Sequence, residues 1–145
     1  MFKHILAPLD GSPPSAHALQ QILRFAQDQQ AKITGVHVTT PFRLVAVEQV
    51  MVDDTGESDA RMMEKRAMSI LLPLEQAAKE ANVPCEIVHA INDDPYDAII
   101  RTASEKGCDL IAMASHGRRG LKGILLGSQT QKVLTHSAIP VLVFR

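Results

Sequence analysis

Apolar positions along this chain recur at two spacings, and the switches between them divide it into strands and helices. Residues 3–8, Lys-His-Ile-Leu-Ala-Pro, form a short apolar run closed by Asp10-Gly11-Ser12-Pro13-Pro14, turn chemistry followed by helix-start chemistry, which predicts a first strand. Ala16, Leu19, Ile22, Leu23 and Ala26 then fall at helical spacing, and Ile33 to Val38 is a second β-rich run. Met63, Ala67, Ile70, Leu71, Leu74 and Ala78 mark one face of a long helix from about Ala60 to Ala81, which Pro73 should kink. Further along, Cys85 to Ile91 predicts a third strand, Tyr96 to Ser104 a helix ended near Gly107, and Asp109 to Ala114 a fourth strand. Ser128 to Thr135 reads as a last helix and Ile139 to Phe144 as a fifth strand. Residues 39–58 keep no clear periodicity, and the polar Asp53-Asp54-Thr55-Gly56-Glu57 predicts a poorly ordered loop. A lid and a plain surface loop both fit that composition.

Strands that alternate with helices need crossover connections, so the sheet should be parallel and covered on both faces. The expected architecture is therefore an α/β, single-domain three-layer sandwich spanning residues 1–145, with a five-stranded parallel sheet. With the order 3-2-1-4-5, the direction of travel reverses between strands 1 and 4, and the crevice beyond their carboxyl ends becomes the expected ligand site. Pro8-Leu9-Asp10 and Ala114-Ser115-His116-Gly117 end those two strands.

Composition narrows the chemistry. No apolar run approaches the roughly 18 residues of a membrane span, and the start lacks a signal-peptide pattern, so a cytoplasmic protein without membrane contact is expected. Cys85 and Cys108 stand singly in apolar stretches, which makes them small core residues rather than a disulfide or zinc site. The absence of Trp, a single Tyr and a net charge of −1 argue against nucleic-acid binding. Charge is nevertheless uneven: all 16 acidic residues lie in residues 1–109, whereas residues 110–145 carry Arg118, Arg119, Lys122, Lys132 and Arg145 and no acid. Gly117, Gly120, Gly123 and Gly127 fall in the same basic quarter. A glycine-rich basic segment suggests an anion site, with a solvated surface as the plain alternative.

The segment after strand 4 contains neither a Gly-x-x-x-x-Gly-Lys-Ser/Thr loop nor Gly-x-Gly-x-x-Gly. The physics could still be shared. Gly117 and Gly127 let backbone amides approach a bound group, and Ser128 places a hydroxyl beside the unpaired N–H donors at the positive end of a helix, which suits a polyphosphate. A plain helix cap remains open for Ser128, and a turn-forming Asp-Gly for Asp10.

Ile5-Leu6-Ala7-Pro8-Leu9-Asp10-Gly11-Ser12, the His37-Val38 pair, this loop and the closing Ser137-Ala138-Ile139-Pro140-Val141-Leu142-Val143 together resemble the universal stress protein family over nearly the whole chain. Its ATP-binding members carry Gly-x-x-Gly, nine residues, then Gly-Ser or Gly-Thr. Here Gly117, the nine residues from Arg118 to Leu126, and Gly127-Ser128 keep that spacing, but Ala114 replaces the first glycine. The resemblance implies an adenine nucleotide alpha hydrolase-like fold and ATP as ligand, which Mg²⁺ could accompany. Pro8, Asp10 and Val38 would border the adenosine, with Asp10 accepting from the ribose hydroxyls. Gly117, Gly127 and Ser128 would take the phosphates, Gln129 and Thr130 would add donors, and Leu9, Met113, Ala114 and His116 complete the candidate set.

His116 and Arg118 are the groups a slow ATPase would use, but neither has a sequence-identifiable partner, so binding without efficient turnover is expected. The histidines and Asp10 supply no protein-only metal site. An acidic cluster after strand 1 and Gly-x-Ser-x-Gly are both absent, and Asp93-Asp94 should start the third helix instead. The resemblance further implies a homodimer through the last strand, whose Val141, Leu142 and Val143 form an apolar edge. Two functions follow: a stress-response protein signalling through ATP occupancy, or, favoured by Ala114, a nucleotide-free dimeric interaction module.

Overall fold

A computed structural model of the chain describes residues 1–41, 56–116 and 126–145, with residues 56–58 described by backbone alone. Of the expected loop over residues 39–58, residues 42–55 lie outside the described residues, as do Gly117, Arg118, Arg119, Gly120, Lys122 and Gly123; Thr39 instead ends a strand, and Gly56 and Glu57 open the long helix expected to start near Ala60. The described elements are β1 (His4–Pro8), α1 (Pro13–Gln29), β2 (Lys32–Thr39), α2 (Gly56–Glu80), β3 (Cys85–Ile91), α3 (Pro95–Lys106), β4 (Leu110–Ala114), α4 (Ser128–His136) and β5 (Val141–Phe144). They form one sheet, parallel as the alternation of elements required, and its order is the expected β3-β2-β1-β4-β5.

Side chains alternate across each strand, and the two sets build two separate cores. Ile5, Ala7, Ile33, Leu110 and Ala112 pack against Ala18, Leu19, Ile22, Leu23 and Ala26 of α1 and against Leu71, Leu74 and Ala78 of α2. Leu6, Val36, Ile111 and Met113 pack on the opposite face against Ile99 and Ala103 of α3 and Val133 of α4. Cys108 is buried in the second core, and both cysteines are free; burial pushes each thiol up to about 11, so they are inert at neutral pH. No described helix is long and apolar enough to cross a membrane.

Element ends follow local chemistry. Ser12 caps α1 by accepting from the Ser15 N–H at 3.4 Å, and Pro13 opens the helix where its missing N–H costs nothing. Helix α2 continues through Pro73. Pro73 withholds the N–H that the Ser69 carbonyl would accept, but both residues are exposed, so water can satisfy that carbonyl. Strand β5 starts at Val141 rather than Ile139 because the Ser137 hydroxyl holds both the N–H and the carbonyl of Ile139 in a turn. Asp94 is the residue capping α3, yet its side chain makes no capping bond; the acid in the first turn is Asp97, held by Asn92 and Arg101.

Gly35 lies in the middle of β2, beneath α2. A β-carbon there would overlap the Leu74 Cδ2 atom, and Leu74 is fully buried, so the methyl has little room to yield. We expect Gly35→Ala to destabilise the fold by about 1–3 kcal/mol, read as a lowered urea midpoint at unchanged slope. An unchanged midpoint would show that α2 can lift from β2 without cost.

Candidate functional site

The carboxyl ends of β1 and β4 lie side by side, and the chain leaves them toward opposite faces of the sheet. From β1 it passes through Leu9, whose N–H donates to the Val36 carbonyl at 2.8 Å and whose carbonyl accepts from the His37 Nδ1–H at 2.8 Å. At Asp10 it turns. The Asp10 Oδ1 atom accepts from the Ser12 N–H at 2.9 Å and from the Ser12 hydroxyl at 2.5 Å, a closed Asx-type turn made possible by Gly11 at φ 80°. The carboxylate is therefore oriented by its own turn.

From β4 the chain continues through Ala114, Ser115 and His116, and it returns at Leu126. The two ends of this excursion are tied together: the Gly127 N–H donates to the Ser115 carbonyl at 2.6 Å, and the Thr130 hydroxyl donates to the Ala114 carbonyl at 3.1 Å. Ser115 in turn is held to the sheet by its N–H, which donates to the Phe144 carbonyl at 2.8 Å. The Ser115 Oγ and His116 Nδ1 atoms lie 2.9 Å apart.

Helix α4 begins at Ser128, and Gly127 is the residue before it, with φ −66° and ψ 155° and no capping side chain. Ser128 thus occupies the first helical position instead of the cap. The amides of Ser128, Gln129 and Thr130 belong to the first turn, which has no intrahelical acceptors for them. Gln129 ties this turn to α3, its Oε1 accepting from the Tyr96 N–H at 3.0 Å. Val38, at the end of β2, and Met113, near the end of β4, lie on the α3/α4 face, and strand alternation places Pro8 of the intervening β1 on that face as well. The structure thereby gathers Pro8, Leu9, Asp10, Val38, Met113, Ala114, His116, Gly127, Ser128, Gln129 and Thr130 at one edge of the sheet; Gly117 lies outside the described residues. Among the described residues no cluster of three or more His, Cys, Asp or Glu side chains could hold a metal ion.

Two histidines at this edge carry roles that the pattern of apolar residues does not reveal. His37 reaches back to Leu9, and His89, in register beside it on β3, stacks on it at 6.3 Å between ring centroids and pairs its Nε2 with the Thr39 hydroxyl at 2.7 Å. The available signal was a polar residue between Val36 and Val38 inside an otherwise apolar strand. At the opposite edge, His4 Nε2 meets the Thr34 hydroxyl at 2.6 Å, Thr34 donates to Glu86 at 3.0 Å, and Glu86 pairs with Lys106 at 3.1 Å. Hydrogen bonds from Lys106 and Thr34 hold the Glu86 carboxyl below its usual range.

The chain belongs to the universal stress protein family, whose model matches residues 1–145. The universal stress protein YxiE of Bacillus subtilis is 33% identical over 153 aligned residues that cover 100% of both chains. Universal stress protein MJ0577 of Methanocaldococcus jannaschii is 30% identical, with 100% of this chain and 96% of the relative covered. Its solved structure superposes with a TM-score of 0.82 at 28% identity, covering 99% of this chain and 95% of that one. A universal stress protein solved in complex with cAMP shares the fold at a TM-score of 0.70 and 23% identity, over 99% of this chain and 97% of its own.

Burial lowers the pKa of both His4 and His89 beneath the ordinary histidine value of 6.5; Lys32 adds to the shift at His4, and Glu64 opposes it at His89. The folded state therefore binds fewer protons than the unfolded one, so the stability these rings contribute is complete above pH 6.5 and is lost as the pH falls toward the folded values. Urea midpoints measured from about pH 7.5 to about pH 5.5 should decline, and His89→Gln should flatten that decline. A variant whose profile parallels the parent's would remove His89 from the account.

Proposed function

We propose that this chain binds ATP, or a closely related adenine nucleotide, in the crevice at the carboxyl ends of β1 and β4, and that it signals in stress adaptation through nucleotide occupancy rather than fast hydrolysis. The observation that carries this reading is the meeting of two chemically different ends at neighbouring strands: an oriented Asp10 carboxylate and the first turn of α4, whose cap position is Gly127 and so brings no side chain of its own. A carboxylate suits vicinal sugar hydroxyls, and first-turn amides at the positive end of a helix suit phosphate oxygens. The half-buried Pro8 and Val38, with Met113 buried beside them, would form an apolar bed for a base between these poles. The phosphate donors in this reading are the amides of Ser128, Gln129 and Thr130 with the Ser128 hydroxyl, because the Gly127 N–H is directed to Ser115 and the Thr130 hydroxyl to Ala114. Gly127 and Gly117 would serve by giving phosphate close access to the backbone. Mg²⁺, where present, would be held by the phosphates. The cAMP complex of a protein with the same fold fits an adenine nucleotide as ligand.

The ties from Gly127 to Ser115 and from Thr130 to Ala114 also favour a second reading, in which the segment serves packing and the protein is a nucleotide-free dimeric interaction module. Both readings place the protein in the cytoplasm and pair it through β5, an edge strand of half-buried Val141, Leu142, Val143 and Phe144.

Calorimetric titration of nucleotide-stripped protein with ATP and Mg²⁺ should give saturable binding, and its absence would leave the interaction module standing. The backbone at Gly127 is open to any residue, so Gly127→Val should fold normally while weakening ATP binding about tenfold or more. Equal affinity in that variant would remove the phosphate role. In light scattering, Val143→Lys should convert a dimer to a monomer, and a persistent dimer would place the interface elsewhere.

A further inference from the structure

We propose that His37 is the positioning residue for sugar recognition in this site, making the protein selective for ribonucleotides over nucleotides that lack the ribose hydroxyls. The inference rests on the nucleotide reading above and deepens it. Leu9 is the hinge between β1 and the Asp10 turn, and two consecutive residues of β2 clamp it: Val36 takes its N–H and His37 takes its carbonyl, each at 2.8 Å. That carbonyl belongs to the Leu9–Asp10 peptide, so fixing its plane fixes the direction in which the Asp10 Cα atom carries the carboxylate. The turn bonds from Ser12 then set the carboxylate relative to the turn, while His37 sets the turn relative to the sheet. Neither bond alone locates the carboxylate against the rest of the crevice.

The ring can do this because it is itself immobile. His37 is buried, lies in register beside His89, and stacks on that ring with 25° between the planes. His89 is in turn held by the Thr39 hydroxyl. A carbonyl only accepts, so Nδ1 must carry the proton. A carboxylate can bond sugar hydroxyls well only when held to within a few tenths of an ångström, so loosening the Leu9–Asp10 peptide should erode the sugar contribution and leave that of the triphosphate.

The test is the ratio of affinities for ATP and 2′,3′-dideoxy-ATP, measured by calorimetry on the full chain. The parent protein should prefer ATP by about tenfold or more, and Asp10→Ala should abolish the preference. His37→Leu should reduce it to within about threefold while the affinity for inorganic triphosphate stays at the parent's value. His37→Asn, whose amide Nδ2–H can take the place of Nδ1–H, should recover most of the preference. A parent ratio retained in His37→Leu, or His37→Asn no better than His37→Leu, overturns the inference. A loss of preference in Asp10→Ala alone overturns the role of His37 and spares the nucleotide reading, whereas no ATP binding by the parent overturns both. A measurement on the parent chain covers failure of the Leu variant to fold. At alkaline pH, nitrogen NMR should find the His37 proton on Nδ1, and a proton on Nε2 overturns the proposal.

Discussion

Strand β1 is hydrogen-bonded in parallel to β2 on one flank and to β4 on the other, and the position of every other element follows from that double pairing. Parallel neighbours cannot be joined by a tight turn, and the crossovers that join them take one hand. The chain therefore winds from β1 through α1, β2 and α2 to β3 along one face, and reaches β4 on the far flank of β1 only by sending α3 across the other face. The connections after β1 and β4 diverge from adjacent strands, and the space between them is the crevice. Asp109 secures the arrangement at the amino edge, where its carboxylate accepts from the Lys3 and His4 amides and its own N–H donates to the His4 carbonyl. Burial pushes the Asp109 carboxyl up, but those bonds outweigh it and hold the group below its usual range.

The two edges of the sheet divide labour. At the amino edge the polar side chains bond to one another in a chain from His4 through Thr34 and Glu86 to Lys106, which leaves them committed to structure. Among the described residues no buried side-chain nitrogen or oxygen lacks a hydrogen-bond partner. At the carboxyl edge the bonds are of another kind. Those from Ser12, His37, Ser115 and Thr130 brace the backbone where β1 and β4 end, together with the Asp10 carboxylate and the start of α4.

Under the proposed function, the same bonds would carry both structural and functional meaning at Asp10 and at α4. An Asp-Gly turn needs the carboxylate to accept from Ser12, and the proposed sugar site would need it held still, so one turn would serve each purpose without modification. At α4, Gly127 precedes the first turn without a capping hydroxyl, and the Ser128 side chain is displaced by one position from where a cap would stand.

Much of the fold was legible in the order of residues, because the repeat of 2.0 in strands and of 3.6 in helices is a local property. Ile5 with Ala7, or Ile22 with Ala26, declare their faces without reference to anything distant, and alternation of such elements already requires a parallel sheet covered on both sides. The candidate residues of the site were legible too, through turn chemistry at Asp10-Gly11 and motif spacing at Gly127-Ser128. What the order of residues could not disclose is which polar groups meet. Leu9 and His37 are separated by 28 positions and Lys3 and Asp109 by 106, and their pairing depends on strand register and neighbour order. Those are set by how two cores fill against one sheet, so the partner of each polar group emerged only when the strands were laid side by side.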